Sequence, residues 1–525
     1  MQSLLLVVGL MLGAVLLVGV GNRLRLPWPA LMVILGAGVA FTPGLPDAIE
    51  IEPDLILPLF LPPLLFATAQ RMSWSVFRAR WRSIALLAIG LVVATVAVVA
   101  GTAAALVPGI GLTAAVGLGA MVAPPDPVAV EAVAGSVGMP RRLLSVLQSE
   151  GLFNDATALV IFQAAVLATV EGGDLTAGGL VLGFVLGAAG AVVIGIVVAR
   201  AARLLMNRVT DTTGRSALTL VLPFAVYLAA EQVHASGVVA VVVVALELRS
   251  EGAADESAER LVQRSFWGVV ELLVTGIAFG LIGLELRAVV LDAGAELATM
   301  LLHAAVVCAV VLGVRVVWMA GAVVSVRMRS DDASAAPRNV REGVVLAWCG
   351  MRGLATLALA LSLPLSASGG AFPARSEIVV IACSVLVVTL LLPGFTLPAL
   401  VRMFGMAGSA ESEQTAEREV ARRARAAATA AVAEHRDDLP PELLAVLDDK
   451  FGRLDAVLRG ESPSEEDRAR LEKFLKGRVI MNRIQSEALA AARAEVLAAR
   501  KEPGIDPEAV DRVLNRLDLR TVLLD

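Results

Sequence analysis

Long apolar runs dominate the chain up to about Met406 and set the strongest limit on its fold. Runs of ~18–30 residues alternate there with short polar breaks, and each is long enough to cross a hydrocarbon core of about 30 Å as a helix. The chain is 57% hydrophobic and only 18% charged, whereas about a quarter of the residues are charged in a typical soluble domain. The pattern predicts an all-α, multi-pass membrane protein that spans a lipid bilayer.

The apolar runs predict about thirteen transmembrane helices. Their expected ranges are 2–21, 27–44, 51–70, 82–107, 112–135, 141–170, 176–205, 215–233, 235–249, 261–287, 294–326, 341–366 and 373–402. We expect residues 1–405 to form a transmembrane domain and residues 406–525, which are charged and Ala-rich, to form a helical tail. The tail has no recognisable nucleotide loop, metal cluster or nucleophile–base set. We therefore predict no enzyme, no cofactor and no nucleic-acid partner, and a tail that packs or binds a regulator.

Arginine placement predicts the orientation in the membrane. Basic residues cluster in the breaks after odd-numbered runs, for example over 78–82 and 327–341, whereas the breaks after even-numbered runs are mostly acidic, for example over 47–54. Cytoplasmic loops carry the excess of Lys and Arg in membrane proteins. We expect the N-terminus outside and the tail in the cytoplasm.

Two of the apolar runs carry helix-breaking residues. The fifth contains Pro124-Pro125-Asp126-Pro127, and these prolines should free carbonyls near Ala120, Met121 and Ala123 because proline has no N–H. The twelfth is interrupted at Trp348-Cys349-Gly350-Met351-Arg352-Gly353. Interrupted helices at corresponding places in two halves are typical of secondary transporters with inverted repeats. We predict two inverted six-helix repeats, runs one to six and eight to thirteen, whose broken helices cross.

Four charged residues lie inside apolar runs and predict two kinds of compensation. Asp126 should lie where positive half-helix N-termini meet, and Arg352 where negative C-termini meet. Glu150 needs a cation at this depth because a lone charge in hydrocarbon is costly. Arg315, in the eleventh run, is the best intramembrane candidate.

Asp155 is the carboxylate left without an obvious partner. On a helix, Asn154 shares a face with Glu150, whereas Asp155 is turned by about 100° toward a neighbouring face. An unpaired acid at membrane depth marks an ion or proton pathway by default. We predict that Asp155 alternates between a proton and a metal ion.

Several stretches resemble the cation–proton antiporter-1 family of sodium/proton exchangers. They are Leu61-Pro62-Pro63-Leu64-Leu65-Phe66, Pro124 to Val130, Glu150 to Phe162, Ser236 to Ala240, Leu281 to Leu284 and Trp348 to Pro364. The resemblance implies a homodimer in the bacterial cytoplasmic membrane, with a dimer domain, a core domain and elevator-type alternating access. It also implies exchange of a monovalent cation for a proton, electroneutral because Asn154 precedes the single Asp155.

The same resemblance assigns roles to the charged residues. Asp155 matches the ion-binding aspartate and Asn154 its motif partner. Glu150 and Arg315 match a structural ion pair, and Asp126 and Arg352 match the charges at the helix crossing.

Three departures from the family pattern leave the ion open. Pro125 replaces a Ser or Thr, Gly151 replaces a frequent Ser, and Ala67 replaces a Glu found in some members. The site should therefore hold fewer oxygen ligands, with the Ala123 carbonyl, Thr157 or a water completing the shell around Asp155. We also include Asn154 and Pro125 among the residues of the ion site. We expect sodium as the ion, with lithium as a second candidate; the alternatives are a potassium/proton antiporter of the same fold and, less favoured, a cation channel.

Overall fold

The computed structural model describes residues 2–24, 26–42, 53–71, 84–131, 139–173, 177–209, 211–233, 235–250, 257–328, 337, 339–367, 370–406, 423, 485, 487–500 and 507–522. The chain divides into two compact units. The first comprises residues 1–251 and 263–409, and the second comprises residues 252–262 and 410–525. Most of the predicted tail lies outside the described residues.

Helices make up nearly all of the first unit. They are α1 (Gln2–Leu24), α2 (Trp28–Ala40), α3 (Pro53–Arg71), a π-helical turn (Leu86–Leu91) that leads into α4 (Val92–Leu106), α5 (Leu112–Val122), α6 (Arg141–Glu171), α7 (Ala177–Met206), α8 (Thr212–Glu231), α9 (Gly237–Ser250), α10 (Ser257–Ala293), a 3-10 turn (Gly294–Glu296), α11 (Leu297–Met328), α12 (Val340–Trp348), α13 (Leu354–Leu361) and α14 (Arg375–Met403). Each predicted run overlaps helical residues.

Apolar composition makes this a multi-pass membrane architecture. Among the described residues, seven helical stretches are long and apolar enough to cross a membrane, and three shorter helices are also apolar. The predicted number of thirteen spans and the inverted repeat stay predictions. Large apolar side chains are exposed along α1 and α7, for example Leu16 and Val193, as expected for helices that face lipid or a partner.

Both predicted interruptions are present in the structure. Helix α5 ends at Val122, residues 123–126 are not helical, and a helical turn follows over 127–131. Likewise α12 ends at Trp348 and α13 begins at Leu354, with a non-helical segment over 349–353 between them. The predicted end of the fifth run, at residue 135, lies outside the described residues, which leave out 132–138.

The twelfth run ends earlier than its hydropathy suggested. Helix α13 stops at Leu361 rather than near residue 366, because Pro364 has no N–H and cannot continue the helix. Residues Ser366–Ala367 (β1) and Gly370–Ala371 (β2) then pair as a two-residue antiparallel ribbon before α14. The prediction of an all-α protein is therefore corrected by this one small element.

Besides the start of α10 over 257–262, the second unit contains two longer described helices. They cover residues 487–499 (α15) and Pro507–Val522 (α16). Ala492 and Val496 of α15 pack with Val510 and Val513 of α16. The contact buries the apolar stripe of α16, which accounts for a helix whose other faces are charged.

Candidate functional site

The two non-helical segments meet and join through their backbones. The N–H of Asp126 donates to the carbonyl of Met351 at 2.7 Å, so the break after α5 is hydrogen-bonded to the break after α12. Backbone groups freed at membrane depth need partners within the protein. Here each broken helix supplies part of the other's missing partners.

Asp126 lies at the N-terminal ends of two helical segments. Its Oδ1 accepts a hydrogen bond from the Val128 N–H at 2.8 Å, in the turn over 127–131. The backbone N–H of Leu354, at the start of α13, also faces this carboxylate. Gly353 allows the approach, because a Cβ on it would collide with the Asp126 carboxylate. The acid therefore sits where helix dipoles favour negative charge.

Arg352 occupies the opposite ends of the same broken helices. Its guanidinium donates to the carbonyls of Val122 at 2.8 Å and Ala123 at 3.2 Å, and also to the carbonyl of Gly350. The side chain is 2% exposed. A buried cation here satisfies carbonyls at helix C-termini, where the dipole is negative. The Ala123 carbonyl, expected in the ion shell, is thus bonded to Arg352, and Ala123 does not line the cavity described below.

Glu150 of α6 and Arg315 of α11 form a doubly hydrogen-bonded ion pair. Nη1 donates to Oε1 at 2.6 Å and Nη2 to Oε2 at 3.0 Å. Both residues are 1% exposed. The Nε of Arg315 donates to the Leu346 carbonyl of α12 at 3.1 Å. Such fork-to-fork geometry is the strong form of this interaction. It links three helices beside the crossing, the place where the non-helical segments 123–126 and 349–353 meet.

Asn154 and Thr157 lie near Asp155 on α6, but both are buried in the protein. The Asn154 amide nitrogen donates to the Pro125 carbonyl at 3.0 Å, which fixes α6 against the break after α5. Its Oδ1 is buried without a hydrogen-bond partner. The Thr157 hydroxyl donates to the Phe153 carbonyl at 3.2 Å, and Thr157 is not among the cavity-lining residues.

Asp155 faces a cavity between α3, α6 and the crossing. The cavity encloses about 500 Å³, its open mouth included. It is lined by Leu61, Leu64, Leu65, Thr68, Pro124, Pro125, Asp126, Pro127, Val128, Gly151, Asp155, Gly353, Leu354 and Ala355. Within the described part of the chain, Asp155 accepts no hydrogen bond and forms no ion pair. Asp155 is thus open to the cavity, whereas the neighbouring charges are compensated. Glu150 pairs with Arg315, Asp126 accepts from backbone N–H groups, and Arg352 donates to carbonyls.

Comparison with known proteins identifies the family. The family model described as "Sodium/hydrogen exchanger, transmembrane" matches residues 8–403, about three quarters of the chain. The chain belongs to the sodium/hydrogen exchanger family. It is therefore a membrane cation/proton antiporter by family, as the resemblance of its motifs predicted.

Individual relatives of this exchanger agree with that placement. It is 30% identical to the uncharacterised Na(+)/H(+) exchanger YjcE of Escherichia coli K12, over 95% of this chain and 94% of the relative. It is 30% identical to the Na(+)/H(+) antiporter ApNhaP of Aphanothece halophytica, over 84% and 81%. The solved structure of the sodium proton antiporter MjNhaP1 from Methanocaldococcus jannaschii at pH 8 is 18% identical, with a TM-score of 0.57 over 78% of this chain and 100% of that one. This last likeness concerns the fold.

The structure accounts for one departure of this exchanger from the family pattern. A Cβ on Gly151 would lie 2.5 Å from Cγ of Pro127 and 2.6 Å from its Cδ, so the proline ring occupies the space that a serine would need. Ala67 is 2% exposed and does not line the cavity. Its neighbour Thr68 does line it. Sequence reasoning overlooked Thr68 because a single threonine in an apolar helix carries no distinctive signal.

Replacing Gly353 by Ala should destabilise the crossing. The added methyl group would overlap the Asp126 carboxylate, and overpacking of this kind typically costs about 1–3 kcal/mol. We expect a lower melting temperature in detergent and a loss of most transport. The matched control is Gly313→Ala on α11, where nothing lies within 4 Å of the added Cβ; a helical Gly→Ala change there should be neutral or stabilising by up to about 1 kcal/mol. Equal melting temperatures for Gly353→Ala and the wild type would contradict this packing.

Proposed function

We propose that this protein exchanges sodium for protons across the bacterial cytoplasmic membrane, with Asp155 as the group that binds either ion in turn. The observation that carries the proposal is the contrast among the acids. Glu150 is held by Arg315 and Asp126 by helix N-termini, whereas Asp155 meets the cavity with no partner among the described residues. A carboxylate kept free at this cost is available to a transported cation or a proton.

Sodium is the ion that the comparisons favour. The relatives above and MjNhaP1 are named as sodium/proton exchangers or antiporters. A Bacillus subtilis relative, 31% identical, is named a sodium, potassium, lithium and rubidium/H(+) antiporter. The potassium/proton alternative is therefore not favoured, while transport of lithium beside sodium stays part of the proposal. The proposed shell consists of Asp155, the Pro125 carbonyl, which has a second lone pair beside the Asn154 bond, and water; Asn154 acts by positioning that carbonyl.

Several finer features belong to the same proposal. A single carboxylate that holds one proton or one monovalent cation gives one-for-one, electroneutral exchange. Elevator-type movement of a core domain, a homodimer, an outside N-terminus and a cytoplasmic tail over 406–525 that binds a regulator are supported by the family resemblance and the arginine pattern. The two crossed breaks, tied at Asp126 and Met351, would move as one body with α6.

Proteoliposomes with an imposed pH gradient test the proposal. Addition of sodium should dissipate the gradient, and clamping the membrane potential should leave the rate unchanged. Dissipation of the gradient by potassium but not by sodium would show that potassium is the transported cation. A cation current without proton movement in a planar bilayer would favour a channel, and no response to sodium, lithium or potassium would overturn the proposal.

Competition at a single carboxylate predicts a specific pH dependence. A proton on Asp155 excludes the cation, so the apparent KM for sodium should rise as the pH falls. For one competing proton, the rise approaches about tenfold per pH unit on the acidic side of the titration. Initial rates at several sodium concentrations and pH values measure this slope. A KM that does not depend on pH would show that cation and proton bind at separate groups.

A further inference from the structure

One wall of the cavity is a stripe on α3 with a single polar member. Leu61, Leu64, Leu65 and Thr68 line the cavity, and their spacing of three, four and seven places them on one face of the helix. Thr68 carries the only hydroxyl among the lining residues. The part of the cavity wall that α3 supplies is thus apolar except at this position.

The Thr68 hydroxyl differs from several other helical threonine hydroxyls in this protein. Thr95, Thr102, Thr169 and Thr389 each donate to the carbonyl four residues earlier, at 2.7–2.8 Å. Thr68 makes no such bond to Leu64 and has no hydrogen-bond partner among the described residues.

Nor is the Thr68 hydroxyl sealed in the protein. The unpaired hydroxyls of Thr275 and Thr356 are wholly enclosed by protein atoms. The Thr68 hydroxyl is not wholly enclosed. The residue as a whole is only 3% exposed, so the small accessible part opens into the cavity that it lines. An unpaired hydroxyl costs free energy when it is taken out of water, and a ligand in the cavity would supply the missing partner.

We propose that Thr68 is a direct oxygen ligand of the transported cation and a determinant of which cation is accepted. This inference rests on the proposed exchange at Asp155. A hydroxyl offers two lone pairs and one proton, so it can coordinate the cation through oxygen while adding no charge. It can also accept a hydrogen bond from Asp155 when that carboxyl is protonated. Selectivity among monovalent cations depends on the number and strength of such dipoles, and Thr68 adds one from α3.

Three variants separate the hydroxyl from the shape of the side chain. Thr68→Val keeps the shape and removes the hydroxyl, Thr68→Ser keeps the hydroxyl, and Thr68→Ala is a second hydroxyl-free variant. The matched control is Thr95→Val, whose residue is buried on α4 with its hydroxyl bonded to the Leu91 carbonyl. Melting temperature in detergent checks that each variant folds.

The readout is the apparent KM for sodium, lithium and potassium in proteoliposomes at one pH. We expect Thr68→Val and Thr68→Ala to raise the sodium KM about tenfold or more and to change its ratio to the lithium and potassium values. Thr68→Ser and Thr95→Val should resemble the wild type. Thr68→Val with wild-type KM values and ratios would overturn the inference, as would equal losses in Thr68→Ser and Thr68→Val, which would indicate packing. Wild-type protein without exchange would instead refute the proposed function, on which the inference rests.

Discussion

Replacing Asp155 by Asn should reduce sodium-driven dissipation of a pH gradient to the level of protein-free liposomes. The amide keeps the size of the side chain but can neither take up a proton in the physiological range nor bind a cation through a negative charge. The protein should still insert and fold, because Asp155 has no hydrogen-bond or ion-pair partner among the described residues. Its melting temperature should stay the same or rise, since an unpaired acid at membrane depth is itself destabilising.

The control for this variant is the same chemical change at an exposed acid. Glu296, in the 3-10 turn between α10 and α11, is exposed, so Glu296→Gln should exchange at the wild-type rate. Size-exclusion chromatography in detergent and the melting temperature establish folding for both variants. Full exchange by Asp155→Asn would remove Asp155 from the mechanism.

The second large effect concerns stability. Glu150→Gln should destabilise the protein strongly, because Arg315, 1% exposed, would keep its charge and lose both charged hydrogen bonds. Removing one partner of a buried ion pair typically costs about 3–5 kcal/mol. We expect a clearly lower melting temperature in detergent and a lower yield of monodisperse protein. Exchange should fall in proportion to the loss of folded protein.

A surface pair and a double variant make this prediction specific. Arg203 and Glu247 lie 3.9 Å apart with side chains 29% and 40% exposed, and exposed pairs contribute about 0–1 kcal/mol; Glu247→Gln should therefore change the melting temperature little. Combining Glu150→Gln with Arg315→Met should recover part of the loss, because no unpaired charge is left. Strictly additive losses would show that the two residues do not interact.

Charges in apolar surroundings were the most predictable part of this molecule. A lone carboxylate at membrane depth is costly, so Glu150 required a cation, and few arginines lie within apolar runs. The structure pairs it with Arg315, 165 positions away. The helix interruptions were also predictable from residue types. The prolines over 124–127 lack the N–H that a helix uses as a donor, and the glycines at 350 and 353 have low helix propensity.

Features that depend on packing were not predictable from one sequence. Hydropathy could not predict the ribbon over 366–371, because that ribbon depends on local backbone geometry. The family resemblance drew attention to position 67, where some members carry a Glu, whereas the packing of α3 places the next residue, Thr68, in the cavity wall. A rotation of about 100° separates adjacent residues on a helix, so a shift of one position selects a different side chain.

The other charges described at the site are compensated within the protein. The charge on Asp155 therefore bears on slippage, the passage of an empty carrier across the membrane. With a proton or a monovalent cation the carboxylate is neutral, whereas an empty one carries a full negative charge toward hydrocarbon. A charge at mid-membrane costs at least about 2.5–3.5 kcal/mol, which slows an empty crossing by roughly two orders of magnitude. Under the exchange proposed at Asp155, tight stoichiometry would then require no separate gate, because the carrier would return quickly only when it is loaded. We expect the sodium leak without a counter-moving proton to stay correspondingly small.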